Sequence, residues 1–354
     1  MLARKLVSRN MIEANSQLFH LLDDYCSRRG DPVRYKDRIR YVYSNNEDKH
    51  DLQNTQIARV IKFGRHRALS LLTTGEGENL VATIGFEFDL DNPELEFTET
   101  SSGMKVALIS EINPHPTAST ANVRNIVEAD DKSNPTYSGH HIDDIETLFP
   151  PIQTWRARDL SDDDSVWQVF LMVCVSECRL GGSWIDDDLA RDLTTLAQLN
   201  VPSLPYHALC QSIFDLDPRS LYMALYRCIE ATYAYDSCRQ LVANLSLKED
   251  WQSVARALAS TVSWHPQESN SLQASLRYAI DEDLKDLCAS LRANEGNNLR
   301  ASTSKAIYDL RNQIVHYRPW QETISIDDLD WNRICLYLAR IVLSVFDQAY
   351  TRHT

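Results

Sequence analysis

The spacing of apolar residues changes along the chain from one typical of strands to one typical of helices. After an amphipathic segment over 10–29, apolar and polar positions alternate with a period of two in short runs between 56 and 112. Turn sequences at 91–93 and 101–103 separate these runs. From 205 onward, apolar residues recur at helical spacing. The pattern predicts an α+β protein, with an N-terminal, mainly antiparallel β domain flanked by helices and a C-terminal all-α bundle of four to five helices.

Local signals predict the individual elements and the domain limits. The predicted strands are 39–43, 57–63, 68–72, 84–90, 95–97 and 105–112, and 113–140 is predicted as a loop. The predicted later helices are 166–180, 186–199, 218–245, 251–262, 272–291, 304–318 and 329–349. Prolines at 150–151, 202 and 205 mark boundaries. They predict an α+β domain over 1–150, a helical connector over 151–204 and a helical bundle over 205–354.

Three acidic or histidine-rich stretches raise the question of a metal site. The triplets 162–164 and 186–188 are each three aspartates, and 140–144 reads His-His-Ile-Asp-Asp. Each stretch precedes a predicted helix, where the helix dipole and the free backbone N–H groups favour carboxylates. Adjacent histidines point apart in regular structure, and no third ligand stands at a helical offset. We therefore interpret all three stretches as helix starts and predict neither a metal nor a cofactor.

The helix predicted over 304–318 has one apolar and one polar face at about 100° per residue. The apolar arc, expected to pack into the core, consists of Ala306, Ile307, Leu310, Ile314 and Tyr317. The polar arc consists of Tyr308, Asp309, Arg311, Asn312 and His316. Asn312 and His316 are four residues apart and stack one turn over the other, and Arg311 is long enough to reach across the arc. A guanidinium, an amide and an imidazole therefore converge on one patch.

These three groups suit the cleavage of a phosphodiester. An imidazole can move a proton near neutral pH, and a guanidinium matches phosphate oxygens and stabilises charge that develops on them. RNA supplies its own nucleophile, the 2′-hydroxyl, so such a site can act without a metal. The alternative is that Arg311, Asn312 and His316 are solvated surface residues, with the histidine interacting favourably with the C-terminal end of the helix dipole.

The motif Arg311-Asn312-x-x-x-His316 resembles the signature of the HEPN superfamily (higher eukaryotes and prokaryotes nucleotide-binding). The wider run over 307–317 looks like the Apea-like branch, in which a Tyr-Arg-x-x-Glu segment lies in a long upstream helix. Residues 225–231, Leu-Tyr-Arg-Cys-Ile-Glu-Ala, are similar to that segment. The resemblance covers roughly residues 205–350 and implies a HEPN-like fold for the C-terminal bundle.

The resemblance implies a metal-independent endoribonuclease that leaves a 2′,3′-cyclic phosphate, often a toxin or an antiviral effector. Arg311 would bind the scissile phosphate, His316 would act as general base or acid, and Asn312 would orient one or both. Glu230 is expected either to pair with Arg311 or to lie on the surface, and Tyr308 is a further supporting candidate. Members of the family usually dimerise through the bundle, so that two motifs face each other. The N-terminal domain would sense a trigger or bind a protein partner.

Two other functions stay open at this stage. Some HEPN domains lack activity and serve as scaffolds that bind a protein partner or a nucleotide, and the acidic surface is consistent with that role. A nucleotide-binding domain that works with a separate transferase is a further alternative, although the chain has no transferase motif of its own. Toxicity that depends on His316 would distinguish a nuclease from a scaffold.

The net charge of −14 is distributed unevenly along the chain. Residues 1–67 hold 14 Lys and Arg against 8 Asp and Glu, residues 68–210 hold 7 against 24, and residues 211–354 hold 15 against 18. The acidic middle argues against avid binding of nucleic acid irrespective of sequence, so RNA would have to enter a local positive site. The most basic region comprises Arg34, Lys36, Arg38, Arg40, Lys62, Arg65, His66 and Arg67. It is either a nucleic-acid contact or a scattered basic surface.

Cysteine usage and hydropathy favour the cytoplasm. The eight cysteines include no CxxC pair and no metal-binding spacing with histidine, which predicts free thiols and no structural zinc. The longest apolar run, 169–175, is too short to cross a bilayer. Residues 1–22 lack the apolar core of a signal peptide, so we expect a cytoplasmic protein without a membrane contact.

Overall fold

The fold is described from a computed structural model of the chain. The described residues are 8–34, 39–86, 95–129, 137–157, 160, 163–199, 201, 204–294, 296–316 and 328–351. The chain divides into two compact units, Met1–Val166 and Trp167–Thr354. The predicted boundaries, after 150 and after 204, differ from this division.

A five-stranded antiparallel sheet forms one layer of the N-terminal unit. The strands are β1 Gln56–Phe63, β2 Arg67–Thr73, β3 Asn79–Ile84, β4 Leu95–Thr98 and β5 Ile152–Ala157, in the spatial order β1-β2-β3-β5-β4. The β1–β2 hairpin pairs Phe63 with Arg67 across a three-residue turn that begins at Gly64. Gly64 has φ +67°, a left-handed conformation that glycine adopts without steric cost.

Helices cover this sheet and build a second core beside it. They are α1 Met11–Ser27, α2 Asn46–Asn54, α3 Ser102–Ile112, α4 Thr120–Val127 and α5 Ile142–Glu146. One face of α3, including Met104 and Leu108, packs on the sheet residues Leu72 and Leu80. The opposite face of α3 packs in a separate cluster with α1. Helix α3 is therefore the layer between the sheet and α1.

The prediction of a strand over 105–112 is wrong, because this segment belongs to α3. Apolar residues occur all around α3 because it is buried on both faces, so they do not recur with a helical period. The side chain of Ser101 caps its first turn by accepting the N–H of Met104 at 3.2 Å. Gly103 lets α2 approach closely, since a Cβ there would lie 1.9 Å from the carbonyl oxygen of Asp48.

Other N-terminal predictions have mixed outcomes. The antiparallel sheet, helix α1 and the helix start at 140–144 are confirmed. Segment 39–43 contributes only an isolated bridge between Val42 and His140, and the predicted loop 113–140 contains α4. Strand β3 ends at Ile84, and residues 87–94 lie outside the described part of the chain. Strand β5, in the predicted helical connector, completes the sheet by pairing with both β3 and β4.

The C-terminal half is helical, as predicted. The helices are α6 Asp163–Cys178, α7 Asp187–Ala197, α8 Tyr206–Ile213, α9 Arg219–Glu230, α10 Tyr235–Leu245, α11 Trp251–Val262, α12 Glu268–Ser275, α13 Asp281–Ser290, α14 Leu299–Val315 and α15 Trp331–Phe346. A 3-10 turn, Leu276–Tyr278, follows α12, and a π-helical turn, Asp347–Thr351, follows α15. Helix α15 contacts α7, α9 and α13, so it forms the centre of this unit.

The described helices are more numerous than the four to five predicted. The predicted helix 218–245 is interrupted between α9 and α10, and the predicted helix 272–291 is interrupted at 276–280. The interpretation of 186–188 as a helix start is confirmed, because Asp186 accepts the N–H of Leu189 at 2.9 Å. Asp163 and Asp164 lie in the first turn of α6, whereas Asp162 is outside the described residues. No helix of the described segments is both long and apolar enough to cross a membrane.

Candidate functional site

Helix α14 carries the candidate site at its C-terminal end. The side chain of Asn298 caps the first turn by accepting the N–H of Ala301 at 3.2 Å. Ile307 and Leu310 are 0% and 1% exposed, and they anchor the middle of the helix in the core. The helix is exposed at its end, where Val315 is 48% exposed. The core contacts therefore hold the helix in place while its last turn is open to solvent.

The structure brings Arg311 and Asn312 into direct contact. Arg311 donates from Nη1 to the side-chain oxygen of Asn312 at 3.0 Å. The guanidinium also lies 5.9 Å from the centre of the Tyr226 ring, within the range of a cation–π contact. Its Nε is buried and has no hydrogen-bond partner among the described residues. The Asn312 contact and the Tyr226 ring therefore orient the guanidinium.

Glu268, which the sequence analysis did not single out, is the carboxylate that pairs with Arg311. An Oε1 of Glu268 lies 3.6 Å from Nη2 of Arg311 and accepts the hydroxyl of Tyr226 at 2.8 Å. Tyr233 donates in turn to the hydroxyl oxygen of Tyr226 at 3.1 Å. Burial, as the largest cause, raises the pKa of the Tyr226 hydroxyl, so this phenol is neutral and donates at physiological pH. The hydroxyls of Tyr233 and Tyr226 therefore position the Glu268 carboxylate, which in turn positions the Arg311 guanidinium.

No local signal in the sequence identifies Glu268 as a partner of Arg311. It lies in the first turn of α12, where a glutamate is expected simply because of the helix dipole. It comes 43 positions before Arg311. The similarity of 225–231 to a family segment did point to Tyr226, which the structure places in the same network.

Glu230 lies near Arg311 but forms no ion pair with it within 4 Å among the described residues. Its carboxylate is half-buried at the end of α9. Burial has the largest effect and raises the pKa of Glu230, repulsion from Glu268 raises it further, and Arg311 and Arg227 partly oppose both. Glu230 is thus neither of the two predicted alternatives, because it is near the arginine without pairing with it and is not a free surface residue.

His316 forms the C-terminal cap of α14. Its backbone is extended, with φ −115° and ψ 117°, and its N–H donates to the carbonyl of Asn312 at 2.9 Å. The imidazole is exposed, and it makes no hydrogen bond or ion pair with the part of the chain that the structure describes. Because the backbone leaves the helix here, ideal helical spacing does not set the position of the imidazole relative to Arg311. Tyr308, about two turns before His316, is half-buried.

The predicted apolar arc is buried only in part. Ile307 and Leu310 are in the core, whereas Ala306 and Ile314 are half-buried. Tyr317 lies outside the described residues, as does the predicted stop at Pro319. Ile314 lines a cavity of about 300 Å³ together with residues of α8 and α9, including Arg227. The end of α14 therefore borders a concave, partly apolar surface.

The described residues contain no group of three or more His, Cys, Asp or Glu that could hold a metal ion. All eight cysteines are buried and have free thiols. The end of α14 thus carries a guanidinium and an amide in contact and an exposed imidazole about one turn further on, and two carboxylates from other helices, Glu230 of α9 and Glu268 of α12, lie near the guanidinium. This set can bind a phosphate and move a proton.

No protein-family model, no curated protein and no solved structure matches the chain. The resemblance to HEPN proteins therefore rests on the residues of the sequence motif alone.

Proposed function

We propose that this chain is a metal-independent endoribonuclease of the HEPN type that cleaves RNA in the cytoplasm. The observation that carries the proposal is the open end of α14. There Arg311 is held by Glu268 and Asn312, and the exposed imidazole of His316 follows one turn later. A positioned guanidinium and an accessible imidazole at the same end of one helix supply the two groups that cleavage through the 2′-hydroxyl needs.

In the proposed reaction, the 2′-hydroxyl oxygen attacks the adjacent phosphorus and the bond from phosphorus to the 5′-oxygen breaks. His316 acts as general base toward the 2′-hydroxyl or as general acid toward the leaving oxygen. Arg311 binds the phosphate oxygens and stabilises the charge that grows on them, and Asn312 orients the guanidinium. The products are a 2′,3′-cyclic phosphate and a 5′-hydroxyl.

We further propose that the active form is a homodimer through the helical unit, with the two copies of His316 sharing the roles of base and acid. The exposed last turn of α14, with Val315 and the half-buried Ile314, leaves apolar surface near the motif for such a contact. In this proposal the protein is a toxin or an antiviral effector, and the N-terminal unit responds to a trigger or a protein partner.

A non-catalytic scaffold is the second candidate, and a specific contact favours it. Glu268 already occupies one edge of the Arg311 guanidinium, and the carboxylate of Glu230 lies nearby. Both negative charges oppose the entry of a phosphate. A protein partner with a suitably placed hydrogen-bond acceptor would meet no such barrier.

The test is RNA cleavage by the purified full chain in excess EDTA, compared with His316→Ala and Arg311→Ala. We expect cleavage that leaves cyclic phosphate ends, and a loss of at least about a hundredfold in each variant. The matched controls are His265→Ala and Arg256→Ala, which remove exposed side chains of the same types in the same unit. These controls should cleave like the parent.

Cleavage that survives in His316→Ala, or that requires a divalent metal, would refute the proposed mechanism. If the folded parent does not cleave RNA, overexpression in cells separates the remaining alternatives. Toxicity that His316→Ala abolishes would indicate a nuclease that awaits a trigger. Absence of any effect that depends on His316 would favour the scaffold.

A further inference from the structure

A cavity of about 540 Å³ in the N-terminal unit lies where three distant segments of the chain meet. The segments are the end of α1, the β1–β2 hairpin and the residues that follow α3. We call it the basic cleft, and its charged lining consists of Arg28, Arg29, Lys62, Arg65 and Arg67. No carboxylate lines it within the described part of the chain. Five cations around one concavity are more than a scattered basic surface.

Three of these cations have no carboxylate within ion-pairing distance among the described residues: Arg29, Lys62 and Arg65. Lys62 donates from Nζ to the backbone carbonyl of Ile112, which holds the ammonium against the end of α3. Arg65 is exposed in the hairpin turn, and its side chain has no hydrogen-bond partner in the described segments. These cations are therefore available to an anion from solution.

Arg29 is held in place by an aromatic ring. Its guanidinium carbon lies 3.8 Å from the centre of the Tyr25 ring, and Nη1 donates to the Tyr25 carbonyl at 3.4 Å. The ring of His115 meets Tyr25 edge-on, with 5.1 Å between the centroids. A guanidinium that is already stacked loses little side-chain freedom when it binds a phosphate.

The pKa of His115 reflects the charges that surround the basic cleft. Burial has the largest effect and lowers the pKa of the imidazole, and the positive charges of Arg29, His66 and Arg65 lower it further, against a hydrogen bond with the carbonyl of Pro116. The ring of His66 meets that of His115 edge-on at 5.3 Å. Two of the groups that act on His115 are the guanidinium ions of Arg29 and Arg65, so the local potential favours a bound anion.

A second cavity, of about 790 Å³, adjoins the basic cleft and shares four lining residues with it. The shared residues are Arg28, Arg29, Asn113 and His115. Leu21, Tyr25 and Pro116 give this adjoining lobe an apolar and aromatic wall, and Gln17 and Asn113 supply amide groups. Such a surface suits a flat heterocyclic base, which stacks on rings and forms hydrogen bonds at its edge.

The two carboxylates of the adjoining lobe are already paired. Asp24 lies 3.2 Å from Nη2 of Arg28, and Glu111 accepts from Arg9. Neither carboxylate lines the basic cleft itself. The two cavities therefore differ in charge, since the basic cleft is cationic and the adjoining lobe is nearly balanced.

We propose that the basic cleft binds the phosphates of a nucleoside polyphosphate and that the adjoining lobe receives its base. Clustered guanidinium and ammonium groups recognise closely spaced phosphate oxygens. This proposal is independent of the proposed ribonuclease, because it concerns only residues of the N-terminal unit. It assigns to that unit the chemical class of a ligand.

A small ligand fits this surface better than a nucleic-acid strand does. A strand needs cations spread along a track, because it presents a phosphate at every nucleotide. Here the cations are gathered in one concavity, and two further arginines of the N-terminal unit are engaged in ion pairs. Arg40 is buried in an ion pair with Asp23, and Arg9 is paired with Glu111. Residues 35–38, part of the predicted basic region, lie outside the described residues.

Isothermal titration calorimetry with the full chain, in EDTA and low salt, tests this inference. The probes are ATP, inorganic triphosphate, adenosine and a short oligoribonucleotide. We expect ATP to bind, triphosphate to bind more weakly, and adenosine to bind least. In Arg65→Glu the affinity for ATP should fall by about tenfold or more, since a hydrogen-bonded charge pair is replaced by repulsion.

Lys49→Glu is the matched control, because it makes the same change in net charge at an exposed position of α2 outside both cavities. The affinity of this variant for ATP should stay within about twofold of that of the parent.

The site would be overturned if Lys49→Glu and a natively folded Arg65→Glu lost equal affinity for ATP. It would also be overturned if the parent bound neither ATP nor triphosphate. Equal affinity for ATP and triphosphate would overturn the assignment of the base to the adjoining lobe. Tighter binding of the oligoribonucleotide than of ATP would overturn the ligand class.

Discussion

Arg311 and the acidic residues around it determine what the candidate site can do. The guanidinium has one carboxylate at ion-pairing distance, Glu268, and a second, Glu230, close enough to interact through the field. Glu268 is compensated by the Tyr226 hydroxyl and by Arg311 itself. Glu230 is half-buried without an ion pair to Arg311, and its raised pKa shows that the surroundings penalise its charge. The site therefore contains Glu268, which orients Arg311, and Glu230, whose ionised form is disfavoured in the folded state.

Replacing Glu230 by glutamine should stabilise the protein at neutral and higher pH. Because the folded state raises the pKa of Glu230, it binds more protons than the unfolded state, and the free energy of unfolding falls as pH rises through that range. Glu230→Gln removes this penalty. Its advantage over the parent should be present at about pH 8 and should vanish near about pH 3, below the pKa of an unfolded glutamate, where the carboxyl is protonated in both states.

Urea denaturation of parent and variant at both pH values measures this effect. Glu249→Gln, at an exposed position before α11, is the control and should change the free energy of unfolding equally little at both pH values. A Glu230→Gln variant that is less stable than the parent at about pH 8 would show that Glu230 is stabilised by its neighbours, contrary to the cause assigned above.

At the scale of elements, α14 combines a buried anchor with an open end. Thr303, Ser304, Ile307 and Leu310 are buried, whereas the residues from Arg311 onward are half-buried or exposed. Helix α3 shows the opposite arrangement, since it is buried on two faces and serves only to join two cores. A helix that is anchored at its middle and exposed at its end can present polar groups without loss of packing.

Leu310→Ala should lower the free energy of unfolding by about 2–5 kcal/mol, because it leaves a cavity in a closed core. Ile314→Ala should cost clearly less, since Ile314 is half-buried and borders an open cavity. Arg311→Ala and His316→Ala should leave folding nearly intact. Chemical denaturation of the four variants compares these effects directly.

Ile314→Ala could instead lower the free energy of unfolding as much as Leu310→Ala does. If that loss also grows with protein concentration, a second copy of the chain covers this face.

At the scale of the whole molecule, the two candidate sites belong to different compact units. The motif residues lie in Trp167–Thr354, and the basic cleft lies in Met1–Val166. Each unit has apolar clusters of its own. A compact unit with its own core can in principle fold alone. The proposed ligand binding and the proposed RNA cleavage can therefore be tested separately in one chain.

Residues 1–162 and 163–354, expressed separately, should each fold with a cooperative thermal transition, because the separation keeps α6 whole and leaves all five strands in the first fragment. It breaks the ion pair between Arg59 and Asp163, whose side chains are 48% and 60% exposed, and such a pair contributes little to stability. Circular dichroism melting measures the outcome. A fragment that melts without cooperativity, while the full chain melts cooperatively, would show that its core depends on the other unit.

Much of the fold follows from local sequence. The caps at Ser101, Asp186 and Asn298, the hairpin turn at Gly64, and the helical spacing of Ile307 and Leu310 all depend on residues within one or two turns of each other. The antiparallel sheet and the helical second half were predictable for the same reason. The strand prediction over 105–112 failed because a helix buried on both faces loses the apolar periodicity that identifies a helix.

Local sequence patterns therefore predict which elements form over most of the chain and which polar residues lie near the end of α14. They do not predict which distant groups meet, and these pairings appear only in the folded chain: Glu268 at Arg311, β5 between β3 and β4, and Arg29, Lys62 and Arg65 around one cleft. The difference arises because periodicity and caps act between neighbours in the chain. Ion pairs and cavities instead depend on how whole elements pack, and that packing is set by the summed burial of many apolar side chains.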